Sequence, residues 1–159
     1  MSEVDMVNER DMYNLLCRIF DKKGWRHKRV EEALMIESRL NGDDIPVDFT
    51  ISVIPSCEVI SFMSWLPFQV SEAKRMDIAM AVCTVNNSLI AGSFDYNVER
   101  GELAFRFTTC YKGSNLSEVL LEEMIMISAM FVDKYNDKFF MISNNMMSLQ
   151  DLDRFIKNS

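Results

Sequence analysis

The sequence predicts an α+β fold: an antiparallel, twisted sheet of about five strands with helices, in the chain order α-βββ-α-ββ-α-α. Two observations predict it. Segments that alternate between apolar and polar residues occur in groups joined by short turns, as in antiparallel hairpins. Segments with helical spacing of apolar residues lie between these groups, so each half-apolar layer has another layer to cover it. The 159 residues, 48% of them hydrophobic, suffice for one core, and we expect residues 1–159 to form a single domain.

The first helix is predicted over residues 4–22. Its apolar residues recur at spacings of three and four, whereas charged residues occupy the rest of the helix surface. The apolar stripe comprises Met12, Leu15, Leu16, Ile19 and Phe20. This pattern is typical of an amphipathic helix that packs on a core.

Three strands are predicted next, over residues 32–40, 46–54 and 58–66. The second strand alternates between apolar and polar residues along its length, which gives one buried face and one wetter face. The connections at 41–44 and 55–57 are short and rich in turn-forming residues. Neighbouring strands should therefore be antiparallel.

A second helix is predicted over residues 72–88, with Ser71 as its N-cap. Its middle is apolar on every side except at Thr84, which predicts contacts on more than one side of the helix. A second hairpin follows, with strands at 93–98 and 102–107 around a glycine-containing turn. Alternation directs five of its residues to one face: Phe94, Tyr96, Leu103, Phe105 and Phe107.

A long third helix is predicted from a capping-box pattern at residues 115–118 to about Tyr135. Steps of about 100° per residue place most of its apolar side chains toward the sheet. These residues are Leu116, Leu120, Leu121, Met124, Ile127, Phe131 and Val132. Val119, Met126 and Met130 fall on the opposite side, among acidic residues. The stretch 124–132 is too short and too closely flanked by acids to cross a membrane.

The three residues on the far side of this helix form a candidate interaction surface, because exposed apolar patches commonly mark such sites. Three partners could cover Val119, Met126 and Met130. One is a C-terminal helix predicted over residues 148–157, packed on the domain. The others are a second copy of the chain or a segment of a client protein. Local cover by the helix is favoured, since it requires no association entropy.

Residues 22–29 form a basic segment in a chain whose net charge is −7. Its members are Lys22, Lys23, Trp25, Arg26, Lys28 and Arg29, together with Gly24 and His27. The simpler interpretation is that the two lysines complement the C-terminal dipole of the first helix and Gly24 ends it. The alternative is an anion patch. The acidic net charge argues against general nucleic-acid binding, which depends on neutralising phosphates.

The sequence contains no recognisable catalytic constellation. It has one histidine, and its five glycines are scattered singly, so no phosphate-binding loop is present. The four cysteines lack the spacing of a zinc site or a redox dithiol. We therefore expect no enzymatic activity, no cofactor and no metal. The acidic N-terminus differs from a secretory signal, so we expect reduced thiols and a cytoplasmic location.

The run from Ser61 to Phe107 resembles the bacterial YbjN-like family. The resemblance rests on a strand that ends in LPF, a helix that opens near SEAKR, an Asn-rich helix end and a hairpin with an acidic, glycine-containing turn. A further helix that begins at LSEVLLEE agrees with it. The resemblance implies the fold of type III secretion chaperones, commonly homodimers that bind extended segments of other proteins. It brings no catalytic residues.

Together, these observations predict a cytoplasmic, homodimeric and non-enzymatic module that binds a polypeptide partner through an apolar and acidic surface. Its role would be that of a chaperone or a regulatory adaptor. The alternative is a ligand sensor or nucleic-acid-linked regulator that uses residues 22–29.

Overall fold

The computed structural model describes residues 8–114 and 116–159, which form six strands and four α-helices. The elements are α1 (Glu9–Lys23), β1 (His27–Val30), β2 (Met35–Leu40), β3 (Val47–Ile54), β4 (Val59–Gln69), α2 (Arg75–Asn86), β5 (Ser93–Asn97), β6 (Glu102–Cys110), α3 (Glu118–Ser143) and α4 (Leu149–Lys157). The strands form one antiparallel sheet in the order β1-β2-β3-β4-β6-β5. The predicted α+β class and antiparallel pairing are confirmed.

The sheet has one strand more than the sequence predicted. The additional strand, β1, contains the last three residues of the basic segment, 27–29, and pairs with β2 so that His27 lies opposite Ser38. The sequence of β1 does not alternate between apolar and polar residues. Such a pattern is not required there, because β1 is an edge strand that is held by backbone pairing with β2. The predicted strand 32–40 is also shorter than expected. Residues 31–33 form a 3-10 turn that ends at Leu34, whose φ is 48°.

The helix boundaries differ from the prediction at three places. Ser71 precedes a 3-10 turn and makes no side-chain capping bond within the described residues, so α2 begins at Arg75 instead. At α3 the cap is Ser117, whose Oγ accepts from the N–H of Leu120 at 3.1 Å. Position 115 of the predicted capping box lies outside the described residues, as do positions 4–7 of the predicted first helix. The helix α3 continues past Tyr135 to Ser143.

One face of the sheet carries the helices and the core. Helix α1 contacts β3, α3 contacts β3, β4 and β6, and α2 contacts β5. The alternation predicted for β3 is confirmed, because every second residue from Val47 to Val53 is buried. An aromatic chain crosses the core: Phe49 stacks on Phe62 at 4.7 Å between ring centroids, and Phe94 lies edge-on to Phe105 at 5.1 Å. We call this side of the sheet the helix face and the other side the open face.

Helix α2 contacts β5, α3 and α4, so the predicted contacts on more than one side are confirmed. Its outer surface nevertheless leaves Met80 and Cys83 exposed. Helix α4 packs beside α2, where Leu152 is fully buried. Phe155 of α4 lies edge-on to Tyr135 of α3, with 6.1 Å between the ring centroids.

Candidate protein-binding surfaces

The outer side of α3 exposes an apolar stripe. Val119, Met126 and Met130 are 68%, 47% and 54% exposed, as the helical spacing predicted. We call these three residues the α3 stripe. Neighbouring members lie seven and four residues apart, so they fall along one side of the helix. Glu123 is also exposed and lies between the first two members in helical spacing.

Helix α3 is rotated about its axis relative to the prediction. Leu120, predicted to face the sheet, is 44% exposed, whereas Ile125 is completely buried. The reason is that α3 contacts α1 and α2 as well as the sheet, so the centre of its buried side is set by three neighbours. Leu121, Met124, Phe131 and Val132 are buried as predicted.

The C-terminal helix does not cover the α3 stripe, and the prediction that favoured local cover is wrong. Helix α4 spans only nine residues, and its Phe155 lies near the far half of α3. The ammonium groups of Lys134 and Lys138 lie 5.8 and 4.8 Å from the Phe155 ring centroid. The stripe lies in the first half of α3, before the residues that Phe155 contacts, so α4 leaves Met126 and Met130 exposed.

The side of α3 next to α1 is electrically balanced. Lys22 Nζ lies 2.7 Å from Glu118 Oε1, and Lys23 pairs with Glu122. The hydrogen bond from Lys22 lowers the pKa of Glu118. These pairs tie α1 to the first turns of α3. Of the acidic residues near the stripe, Glu123 is exposed, whereas Glu118 and Glu122 are neutralised by the two lysines of α1.

The basic segment at residues 22–29 is mostly neutralised by neighbouring carboxylates. In addition to the two lysines paired with α3, Lys28 lies 3.0 Å from Glu37 and Arg29 lies 2.6 Å from Asp21. Arg26 is exposed, and Trp25 is half-buried with its ring edge-on to Phe20 at 5.4 Å. Gly24 ends α1 at φ 65°, as the simpler interpretation predicted. Four of the five cations thus have acidic partners, which reduces the attraction for a polyanion.

The open face carries an exposed tryptophan that the sequence analysis did not single out. Trp65 in β4 is 58% exposed, while its neighbours Ser64 and Leu66 point to the helix face and are buried. The alternation of the predicted strand 58–66 was the available signal, because it places every second residue on the open face. Trp65 faces Ala104 of β6, which is only 1% exposed.

Ion pairs between strands flank Trp65 on the open face. Arg39 donates to the Asp48 carboxylate through Nε and Nη2, with Nη2 at 2.6 Å from Oδ2. Arg106 likewise contacts Asp95 through Nε at 2.7 Å. The Arg39 hydrogen bonds lower the pKa of Asp48. These paired charges fix the surroundings of the indole.

Two further kinds of site concern the part of the chain that the structure describes. None of its helices combines the length and the apolar character that crossing a bilayer requires. Among the same residues, no three His, Cys, Asp or Glu side chains group closely enough to bind a metal ion.

The sequence matches the YbjN family profile, described as "Putative bacterial sensory transduction regulator", over residues 13–141. This range includes most of the chain, and the chain belongs to the YbjN family. The predicted resemblance is therefore confirmed. A search of curated proteins gives no match to the sequence.

Solved structures of the same fold include YbjN from E. coli, described as a putative transcription regulator. The TM-score is 0.58 at 15% identity, and the match covers 79% of this chain and 91% of that chain. A chain of the ExsC–ExsE complex matches with a TM-score of 0.58 at 12% identity, covering 81% of this chain and 93% of that chain. A chain of the HopA1–SchA chaperone–effector complex gives 0.55 at 10% identity, covering 79% and 93%. The predicted type III secretion chaperone-like fold is thus confirmed.

Proposed function

We propose that this protein is a non-enzymatic protein-binding module, acting as a chaperone or a regulatory adaptor. The observation that carries the proposal is the α3 stripe, which leaves Val119, Met126 and Met130 exposed on a helix whose other sides are packed. Methionine side chains are flexible and polarisable, so a surface that contains them can adapt to apolar segments of a partner. The apolar contact would be bordered by the Glu123 carboxylate.

The structural comparisons support the same class of function. Two of the similar folds belong to proteins solved in complexes, one of them described as a chaperone–effector complex. The family description names a sensory regulator, which is compatible with an adaptor. We further propose a homodimer and a cytoplasmic location. Exposed thiols at Cys57, Cys83 and Cys110 suit a reducing compartment.

The alternative, a ligand sensor or nucleic-acid-linked regulator that uses residues 22–29, has less support. Binding to a polyanion would have to break or bypass the pairs made by Lys28 and Arg29. The net charge of −7 opposes it further. The alternative predicts binding to polyanions that falls steeply with salt and disappears when Lys22, Lys23, Lys28 and Arg29 are neutralised.

The proposal is tested by substituting the centre of the α3 stripe. The variant M126S/M130S keeps the helix and removes two exposed apolar side chains. The wild-type and variant proteins are used to capture proteins from bacterial lysate, and the captured proteins are compared by mass spectrometry. We expect specific proteins to be enriched by the wild type and lost from the variant. Light scattering gives the oligomeric state of each.

The matched control is M76S/M146S, which removes two methionines that are 70% and 59% exposed, one on α2 and one between α3 and α4. This control should retain the captured proteins. Equal capture by both variants would show that the stripe is not the binding surface. Capture at background level by the wild type, with a monomer in light scattering, would contradict the adaptor and the dimer together.

A further inference from the structure

We propose that a groove beside Trp65 on the open face binds a basic side chain, arginine or lysine, of a polypeptide partner. The groove has a volume of about 490 Å³ and is lined by Trp65, the segment 95–99 and Glu102. It lies on the side of the sheet away from the α3 stripe. This inference deepens the proposed protein-binding function and rests on it.

Trp65 provides an apolar wall that is ready for a flat or elongated side chain. The indole is 58% exposed on a strand in the interior of the sheet, not on a loop. Its backbone pairs with Ala104 of β6, the last regular pair before the register shifts between Trp65 and Gln69. A tryptophan whose backbone is held by strand pairing loses little entropy on binding, and tryptophan is the side chain most favourable for contact with a cation.

The charges around this wall favour a cation. The groove lining contains three carboxylates, from Asp95, Glu99 and Glu102, and no lysine or arginine among the described residues that line it. Asp95 is paired with Arg106, and Glu102 lies 3.5 Å from Arg100. Glu99 is exposed at the turn between β5 and β6. A bound basic side chain could therefore lay its aliphatic stem on Trp65 and direct its charged end toward Glu99 and Glu102.

The turn that carries these carboxylates is fixed to β4. Val70 donates to the carbonyl of Gly101 at 2.8 Å, and Gln69 Nε2 donates to the carbonyl of Arg100 at 2.7 Å. Within the turn, the Asn97 side chain accepts from the N–H of Arg100 at 3.0 Å. These bonds hold the acidic turn at the same end of β4 as Trp65, so the groove is formed before any partner binds.

The partner is a basic segment of a polypeptide and not a second copy of this chain. A second copy would bring its own net charge of −7 to a groove in which Asp95 and Glu102 are paired with arginines and Glu99 has no cationic partner among the described residues. Like charges at close range oppose that contact. A basic segment of another protein matches the groove in sign, and an extended backbone can lie along the open face of a sheet.

The test uses the W25F variant, which leaves Trp65 as the only tryptophan. It is titrated with a peptide of alternating arginine and threonine, and separately with the same peptide containing glutamate in place of arginine. We expect a saturable change in Trp65 fluorescence with the basic peptide only, weakened by added salt. Adding E99Q/E102Q to W25F should raise the Kd about fivefold, since two partly exposed ion pairs are lost.

The matched control is E9Q/E32Q in the same W25F background, which removes two exposed carboxylates elsewhere and gives the same net charge. It should leave the Kd unchanged. Equal weakening by both pairs of substitutions, or equal responses to the two peptides, would overturn the groove as the site. Conversion of a dimer to a monomer by W65A, without saturable peptide binding, would also overturn it. The capture experiment on M126S/M130S is independent of these outcomes, so failure of the groove is distinguishable from failure of the proposed function.

Discussion

Replacement of Gly101 by alanine should test how tightly the β5–β6 turn is bound to β4. Gly101 has a φ of 71°, a conformation that alanine adopts only with strain. A Cβ at this position would lie 2.2 Å from the carbonyl oxygen of Val70. The contact is with backbone, and the same two residues already share a 2.8 Å hydrogen bond. The turn would therefore have to move away from β4.

The expected cost follows from comparison with Gly113. That glycine also has a positive φ, 61°, but an added Cβ would meet nothing within 4 Å. The left-handed backbone alone costs alanine about 1 kcal/mol, so G113A should destabilise the protein by about that amount. For G101A the steric displacement adds about 2 kcal/mol, a typical cost of overpacking. The difference between the variants should thus be about 2 kcal/mol in the free energy of unfolding.

Urea denaturation of the wild type, G101A and G113A measures these values directly. With an m-value of about 2 kcal/mol per molar urea, G101A should unfold about 1 M earlier than G113A. The gain from restricting the unfolded chain is the same for both substitutions, so it cancels in the comparison. Unfolding midpoints for the two variants that agree within experimental error would refute the close approach of the turn to β4.

Three further predictions concern a helix cap, an ion pair and the thiols. The substitution S148A should lower the free energy of unfolding by about 1 kcal/mol, because Ser148 Oγ accepts from the Asp151 N–H at 3.1 Å and caps α4. The hydrogen bonds to Arg39 lower the pKa of Asp48 in the folded state. The ionised Asp48 therefore stabilises the fold at pH values above the pKa that this carboxyl has in the unfolded chain, and this stabilisation is lost as the pH falls through the lower folded-state pKa. The variant D48N should therefore show a shallower loss of stability on acidification, measured by urea denaturation at several pH values. Burial raises the pKa of the Cys17 thiol, so an aromatic disulfide reagent should label Cys17 only on unfolding. The thiols that should react in the native protein are Cys57, Cys83 and Cys110.

Each of these expectations has its own control. For the cap, S56A changes an exposed serine outside α4 and should alter stability by less than about 0.5 kcal/mol; equal effects would contradict the cap. For the ion pair, R39M should flatten the acid dependence as D48N does, and the double variant should add little. A full additive effect would show that the pair is not formed. Fast native labelling of Cys17 would show that α1 is not packed as described.

The sequence predicted those elements in which local pattern and tertiary packing agree. Strand β3 was predicted within one residue because every second side chain along it is apolar and buried. No face was predicted for the residues of 58–66, although the two-residue period of a strand places Trp65 on the side opposite Ile60 and Phe62. By contrast, β1 could not be predicted, because an edge strand of basic residues is held by backbone pairing that leaves no apolar pattern.

The candidate surfaces show the same limit. Helical spacing correctly separated Val119, Met126 and Met130 from the buried side of α3. It could not show that Leu120 is exposed and Ile125 buried, since the rotation of α3 depends on its contacts with α1 and α2. The cations of residues 22–29 appeared as a patch because their acidic partners, such as Glu118, are distant in sequence.

What the sequence by itself determined is the fold class, the family resemblance and the division of each strand and helix into an apolar and a polar side. These follow from periodicities of two and about 3.6 residues, which are local properties of the chain. Only the tertiary structure decided that α4 packs at Phe155 against Tyr135 and leaves the α3 stripe exposed. It alone also brought the acidic β5–β6 turn beside Trp65, because β6 lies between β4 and β5 in the sheet. Such contacts join residues far apart in the chain, and no local periodicity encodes them.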